Sequence, residues 1–254
     1  MATMRQHYEE RFAQDDPYEC GKPENRFWLM LGQAKLDLVT RIAKRWTIRR
    51  SIDVGCGDWG IFHQAPVLLG SELAVAGDLS FLAVKKAREN SDVAHKTQFA
   101  VFDAERPPFR SHAFDVVYCS EVVEHVVDAR RTMLELARLS NHRVITSVPN
   151  EELVGKMDPE HLHTFGYDTF RDLVQEAGLR IINGYGIYLF LRPVPSHRLP
   201  FLPLGTILIK ILMKLGEWVP RRGIQILVVA EGQDDGGLES MHRHHHSHSR
   251  RVSP

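Results

Sequence analysis

The sequence predicts a doubly wound α/β domain, with a mostly parallel sheet covered on both faces. Short apolar runs alternate with stretches of helical periodicity between residues 51 and 148, the pattern of a sheet whose crossovers are helices. A glycine-rich turn, Gly55-Cys-Gly57, directly follows the first run. Acids stand at the carboxyl ends of the next two runs, at Asp78 and Asp103.

Residues 1–24 are polar and broken by Asp15, Asp16, Pro17, Gly21 and Pro23, which predicts an arm with one helical turn. Residues 25–45 place Phe27, Leu31, Ala34, Leu38 and Ile42 three and four apart, the spacing of an amphipathic helix. Its basic end (Arg41, Lys44, Arg45, Arg49, Arg50) reads either as a solvated face suited to a helix C-terminus or as an anion-binding patch. Strands are expected at 51–54, 73–77, 98–102, 114–119 and 143–148, with helices near 61–69, 81–90 and 126–139. A further helix fits 168–177 and ends at Gly178. Two last strands fit 180–190 and 224–230, separated by a proline-rich insertion, 191–222. The domain thus runs over 25–231, and 232–254, with Met241-His-Arg-His-His-His-Ser-His, is expected to be a disordered tail without a catalytic role.

Composition narrows the function classes. The 254 residues carry 32 basic and 32 acidic side chains, so no net field gathers nucleic acid, and no nucleic-acid partner is expected. The three cysteines, Cys20, Cys56 and Cys119, have no metal-type spacing and read as reduced intracellular thiols. The charged N-terminus lacks the apolar core of a secretory signal, and no apolar run is long enough to span a bilayer. A cytoplasmic protein is the expectation.

The chemistry concentrates at the predicted strand ends, where ligands of open α/β sheets bind. Gly55 and Gly57 allow close backbone approach, and the helix that follows turns its N-terminus toward the site. Asp78, about twenty residues on, is placed to accept hydrogen bonds from both hydroxyls of a ribose; alternatively it is a helix-terminal charge beside Ser80. Asp103 can reach an exocyclic amine of adenine. The strand Phe114-Asp-Val-Val-Tyr-Cys-Ser120 runs into Glu121-Val-Val-Glu124-His125, whose polar positions share one face if the segment is helical. His161 and His163, in Pro159-Glu-His-Leu-His-Thr-Phe165, are expected to close over them. Three readings of this cluster stay open: a histidine base for an acceptor hydroxyl, a divalent-cation site, or residues that only cap and orient the loop.

Residues 25–190 resemble the class I S-adenosylmethionine-dependent methyltransferases, in the type 11 group with the ubiquinone-pathway enzymes. Asp53-Val-Gly-Cys-Gly57 matches their first motif, Asp78 the ribose acid, Asp103-Ala104 the adenine-side motif and Phe114-Asp-Val-Val117 the fourth. The resemblance implies a Rossmann-like seven-stranded sheet of order 3-2-1-4-5-7-6 with the seventh strand antiparallel. It implies S-adenosylmethionine as cofactor, S-adenosylhomocysteine as product, and a cofactor site of Asp53, Gly55, Cys56, Gly57, Asp78, Leu79, Asp103, Ala104 and Ser120. Trp59 stands where these enzymes usually have a third glycine, and Gly60 follows it. Gly55-x-Gly57-x-x-Gly60 also fits a dinucleotide fingerprint, but Asp53, Asp103 and Phe114-Asp115 favour the methyltransferase reading.

The resulting expectation is O-methylation of a small or lipid-like metabolite, with His125, Glu121 and His161 as the catalytic group. The Glu-x-x-Glu-His spacing also resembles the metal set of small-RNA terminal 2′-O-methyltransferases. The alternative is therefore a metal-dependent RNA 3′-end methyltransferase with a cation on Glu121, Glu124, His125 and His161; a non-catalytic cofactor-binding protein is the third option. Finally, 199–222 reads as a substrate lid touching a membrane through 199–219. Thr206, Lys210, Lys214 and Glu217 make a narrow polar stripe on an otherwise apolar helix. A plain core helix or a subunit surface is the competing reading.

Overall fold

The structure, a computed structural model, describes residues 4–14, 26–58, 70–90, 96–156, 158–190 and 205–232. Trp59, Gly60, the helix expected at 61–69, the proline-rich stretch 191–204 and the His-rich tail lie outside the described residues.

Seven strands form one sheet: β1 (Arg50–Val54), β2 (Leu73–Asp78), β3 (Thr97–Val101), β4 (Phe114–Ser120), β5 (Ser140–Pro149), β6 (Leu179–Leu189) and β7 (Gly223–Gly232). Their order is β3-β2-β1-β4-β5-β7-β6. β1 pairs in parallel with β2 and β4, and β5 with β4. β7 runs antiparallel to both of its neighbours. This is the implied topology. The antiparallel β7 brings its first residues beside the end of β5, with Pro149 opposite Gln225, and Leu189 opposite Gly223. The carboxyl ends of β1, β4, β5 and β6 and the start of β7 therefore lie along one edge.

Helices cover both faces. On one, α2 (Arg26–Ala43) and α7 (Gly205–Gly216) pack over Val116, Tyr118, Ile145, Ile187 and Leu227. On the other, α4 (Ala129–Leu139) and α6 (Tyr167–Glu176) pack over Val117, Cys119, Val144, Val148, Ile226 and Val228. The alternation of neighbours between clusters, Val116 and Tyr118 against Val117 and Cys119, is the period-2 pleat of a strand buried on both faces. α4 begins at Asp128, whose side chain accepts from the Arg131 amide, so the helix expected from residue 126 starts three residues later, and Val126 falls in the preceding turn. α3 (Phe81–Glu89) is capped by Ser80, which accepts from Ala83 N at 3.1 Å. Two short helices, α1 (Met4–Phe12) and α5 (Glu151–Val154), and a 3₁₀ turn at Pro220–Arg222 complete the described elements. α1 has nine residues, more than the single turn expected of the arm.

Arg49 and Arg50 do not continue the basic helix end. Their amides donate to Asp115 Oδ2 at 2.8 and 2.9 Å, fixing the start of β1 against β4. Asp115, expected as part of a motif running into the site, therefore works at the opposite end of the sheet. Burial works against its ionisation, but the two amides outweigh it and hold the carboxyl below its usual range.

At Gly77, a Cβ would lie 2.0 Å from the Phe102 ring and 2.8 Å from the Ala100 carbonyl. Phe102 stacks edge-on with Phe109 in the core. Gly77→Ala should therefore overpack the sheet and lower unfolding free energy by about 1–3 kcal/mol, read from urea denaturation.

Candidate active site

The turn after β1 forms the first wall. Gly55 and Gly57 have φ of 81° and 56°, left-handed values that glycine adopts without strain. A Cβ on Gly55 would also meet Val122 Cγ2 at 2.3 Å. The amides of Gly55 and Cys56 both donate to the Gly77 carbonyl, at 2.8 and 2.9 Å, which closes the turn onto β2. Asp78 stands at the end of β2. Its Oδ2 accepts from Gly57 N at 3.0 Å and its Oδ1 from Ser80 N at 2.9 Å. Each oxygen keeps a further lone pair, so the carboxylate is oriented by backbone and still able to receive two hydroxyls. Burial raises its pKa, against the pull of these amides.

The other expected cofactor residues divide by depth. Asp53 is fully buried at the end of β1 and Cys56 beneath the turn. Burial, then the carboxylates of Asp78 and Asp53, hold the Cys56 thiol well above its usual range, so this cysteine packs and does not react. Leu79 is half-buried between Asp78 and the α3 cap. Asp103 is exposed beyond β3 and accepts from Glu105 N at 2.9 Å, with half-buried Ala104 behind it against the core. Ser120 is buried at the end of β4, and its hydroxyl meets the Ser147 hydroxyl at 2.8 Å.

Below the cleft lies a polar network. Lys35, from α2, is 1% exposed. Its Nζ donates to Glu121 Oε1 at 3.2 Å and to Ser147 Oγ at 3.4 Å. Ser147 Oγ donates to the same Glu121 oxygen at 2.8 Å, and Gln225 Nε2 reaches Glu121 Oε2 at 3.0 Å. Glu121 is thus gripped by three partners, with φ of 55°, a backbone conformation uncommon outside glycine. It anchors the turn 121–127, with one oxygen on Lys35 and Ser147 and the other on Gln225.

Glu124, His125 and His161 come together. One ligand-type atom from each lies within 4.8 Å of the others. Glu124 is 1% exposed, and neither of its oxygens meets a donor from another residue among the described residues; His125 Nδ1 likewise has no partner. Burial, then the Glu121 charge, push the Glu124 carboxyl well above its usual range. Burial, then the neighbouring His161, push His125 down to about 4, so its imidazole is neutral at pH 7. The His125 and His161 rings meet edge to face with centroids 4.6 Å apart. His161 Nδ1 is bonded to Glu151 Oε1 at 2.7 Å, which fixes the ring and leaves Nε2 as its reactive nitrogen. The amides of Leu162 and His163 donate to the Glu124 carbonyl, and the His163 ring to the Val126 carbonyl. His163 therefore ties the loop down, and only His161 of the expected pair joins the cluster.

Sequence reasoning missed the contribution of α1. Glu9 accepts from the amides of Phe81 and Leu82, at 2.6 and 3.1 Å, and from the Ser80 hydroxyl. The carboxylate thus sits on the positive end of α3. On the same helix, His7 and Arg11 both pair with Glu160, next to His161. Tyr8 lies between, its ring edge-on to His125 at 6.2 Å. One short helix bridges the Asp78 side and the His161 side. Glu151 was also missed, although an acid two residues beyond a strand end is a signal the sequence carries.

Comparisons with known proteins agree with this geometry. Residues 52–143 match the family described as "Methyltransferase domain". A segment of 96 residues, 37% of the chain, is 33% identical to the chloroplastic tocopherol O-methyltransferase of Arabidopsis thaliana, covering 27% of that protein. A segment of 94 residues, also 37% of the chain, is 32% identical to the malonyl-[acyl-carrier protein] O-methyltransferase of Legionella pneumophila, covering 33% of it. The match therefore spans a third or less of either relative. The N-methyltransferase NodS of Bradyrhizobium japonicum, solved with S-adenosyl-L-homocysteine, superposes with a TM-score of 0.60 over 91% of this chain and 98% of its own, at 12% identity. That likeness is one of fold.

Burial disfavours ionisation of Glu9, but the α3 amides outweigh it and lower its pKa below 4.5. Proton uptake therefore favours the undocked arm: the contact is complete above that pH and is lost as pH falls through the lowered value. Glu9→Ala should release α1 at all pH values. Hydrogen exchange at the Phe81 and Leu82 amides should rise in the variant at neutral pH, and in the native chain only on acidification.

Proposed function

We propose that the protein is an S-adenosylmethionine-dependent methyltransferase acting on a hydroxyl of a small or lipid-like metabolite, since residues 52–143 match a methyltransferase-domain family and lie in a seven-stranded sheet of order β3-β2-β1-β4-β5-β7-β6. The observation that carries this reading is the Gly57–Asp78 contact, which sets a carboxylate beside a tight glycine turn at the carboxyl edge of the sheet. The residues fit the cofactor: Gly55 leaves the turn without a side chain at the edge of the cleft, Asp78 offers two oriented acceptors, and Asp103 lies beyond the adjacent strand. When bound, S-adenosylmethionine supplies a methyl group on a positively charged sulfur and leaves as S-adenosylhomocysteine.

With the electrophile already activated, the chain's task is alignment and removal of one proton. That proton is assigned here to His161. Glu151 holds its Nδ1 at 2.7 Å, so Nε2 takes the proton of the acceptor hydroxyl, and the carboxylate stabilises the imidazolium that results. His125, neutral at pH 7, packs its ring against the edge of His161. Glu121 acts indirectly, by fixing the turn that carries Glu124 and His125. Transfer to oxygen is supported by the two curated relatives, both O-methyltransferases, one named for tocopherol and one for a carrier-bound malonyl group. No described helix is long and apolar enough to cross a membrane.

Incubation with methyl-labelled S-adenosylmethionine and fractionated lysate should place label in the lipid or small-molecule fraction. Asp78→Ala should abolish calorimetric binding of S-adenosylhomocysteine. His161→Ala should keep that binding and lower turnover about 10²- to 10⁴-fold. Native protein that binds neither form of the cofactor would overturn the reading, and label in RNA would redirect it.

One observation favours a second reading. The unpartnered Glu124 oxygens face two imidazoles, and a carboxylate behind one of them, Glu151 on His161, is the usual support of a metal-bound histidine. A divalent transition cation suits this donor set, held by Glu124, His125 and His161, and would polarise the acceptor hydroxyl in place of a histidine base. Calorimetric titration with Mn²⁺ or Zn²⁺ tests it: saturable binding removed by Glu124→Gln, with turnover lost on chelation, is the expected pattern. Turnover indifferent to chelator leaves His161 as base.

A further inference from the structure

The helix of the insertion, α7, has two unlike faces. Ile209 and Leu212, 0% and 4% exposed, belong to the core on the α2 side of the sheet. Gly216 presses so closely on β6 that a Cβ on Gly186 would lie 2.8 Å from its carbonyl oxygen. The inner face is therefore core, as one of the expected readings had it, and the helix is fixed to the sheet rather than hinged over it. The outer face is not polar in compensation. Ile207, Leu208, Ile211 and Leu215 are 43–56% exposed, and Trp218, just past the helix, is 80% exposed. At about 100° per residue the four aliphatic side chains fall within an arc of about 100°, roughly one quadrant. Lys210 and Lys214 border that quadrant on one side and are exposed.

We propose that this outer face docks the protein on an anionic lipid surface, with the aliphatic quadrant and Trp218 in the interface and the lysines at the headgroups. Charge selects this occupant. Residues 205–222 contain Lys210, Lys214, Arg221 and Arg222 against the single acid Glu217, although the whole chain is neutral; Glu217 holds Lys214 at 3.0 Å and Asp168 pairs with Arg221, which leaves Lys210 and Arg222 as the cations without an ion-pair partner among the described residues. A second copy docked about a two-fold axis would set this basic patch against itself, whereas an anionic bilayer complements it. The helix has 12 residues, about 18 Å, too short to span a hydrocarbon core of about 30 Å. An apolar face bordered by lysines and ended by an exposed tryptophan is the composition of a helix lying in the interface plane. The location fits the chemistry. The chain leaves β6 at Leu189 and re-enters at Gly223, on the same sheet edge as Asn150 and Glu151; Asn150 Nδ2 donates to the Gly223 carbonyl at 2.8 Å. Docking there gives a lipid-like acceptor a short route to His161. In that respect the inference rests on the proposed function, while the docking itself does not require methyl transfer.

Sedimentation of the full chain with phosphatidylcholine vesicles, with and without phosphatidylglycerol, tests it. Binding is expected to the anionic vesicles, with a blue shift of tryptophan emission that Trp218→Phe removes. Lys210→Ala/Lys214→Ala should weaken binding by roughly 10- to 30-fold, and Ile211→Glu/Leu215→Glu should abolish it. Unchanged unfolding midpoints and S-adenosylhomocysteine binding show that both variants remain folded. The inference falls if the native chain ignores both vesicle types, or if Ile211→Glu/Leu215→Glu binds as well as the native chain. It falls also if the native chain is a dimer that this double substitution dissociates, since a second copy then covers the face. Vesicle binding without any cofactor binding would sink the methyltransferase reading and leave the docking intact.

Discussion

The ion pair between Lys35 and Glu121 is the contact on which the site depends. Lys35 stands in the apolar stripe of α2, between Leu31 and Leu38, where an unpaired ammonium would be strongly disfavoured. Its carboxylate partner lies just past the end of β4, and Ser147 and Gln225 join it from β5 and β7. One charge pair therefore holds a covering helix and three strands to a single point. The left-handed backbone at Glu121 is tolerated because four strong contacts, including its amide to the Ser147 carbonyl at 2.9 Å, over-determine it. The chain leaves that point in a turn that delivers Glu124 and His125 to the cleft, so the reactive cluster inherits its position from a pair that need never touch substrate.

Much of the architecture was legible because it rests on local rules. The short apolar runs at β1, β4 and β5 and the helical stretches of α2, α4 and α6 are written residue by residue, and the glycine turn requires φ values that only Gly55 and Gly57 supply cheaply. Asp78 was legible because its position at a strand end fixes its surroundings whatever the distant chain does. The sheet order came from resemblance, since no local pattern specifies which strands neighbour one another.

What escaped the sequence is long-range pairing. Nothing near Glu9 shows that it will cap a helix seventy-one residues away at Ser80, and the polar composition of the arm reads equally well as solvated chain. Lys35 did carry a signal, a cation on an apolar stripe, but periodicity counts apolar positions and passes over it. Ser120 and Glu121 lie at the end of β4, and both meet Ser147 of β5, a cross-strand pairing that no local pattern announces. His161 and His163 lie in a bend outside any strand pleat, and they part there, one into the cluster and one onto the Val126 carbonyl.

The pairing of Leu189 with Gly223 has a wider consequence. The insertion leaves and rejoins the sheet through adjacent partners of one antiparallel ladder, so in topological terms it is the loop of a hairpin. The entropy of closing a loop grows only with the logarithm of its length, and the ladder on either side registers itself without reference to what lies between. Such a junction can accept segments of very different size while β6 and β7, and the helix-to-strand pair beneath the cleft, remain as they are. Variation in the inserted segment among proteins built this way can therefore accumulate at one splice point, leaving the rest of the sheet untouched.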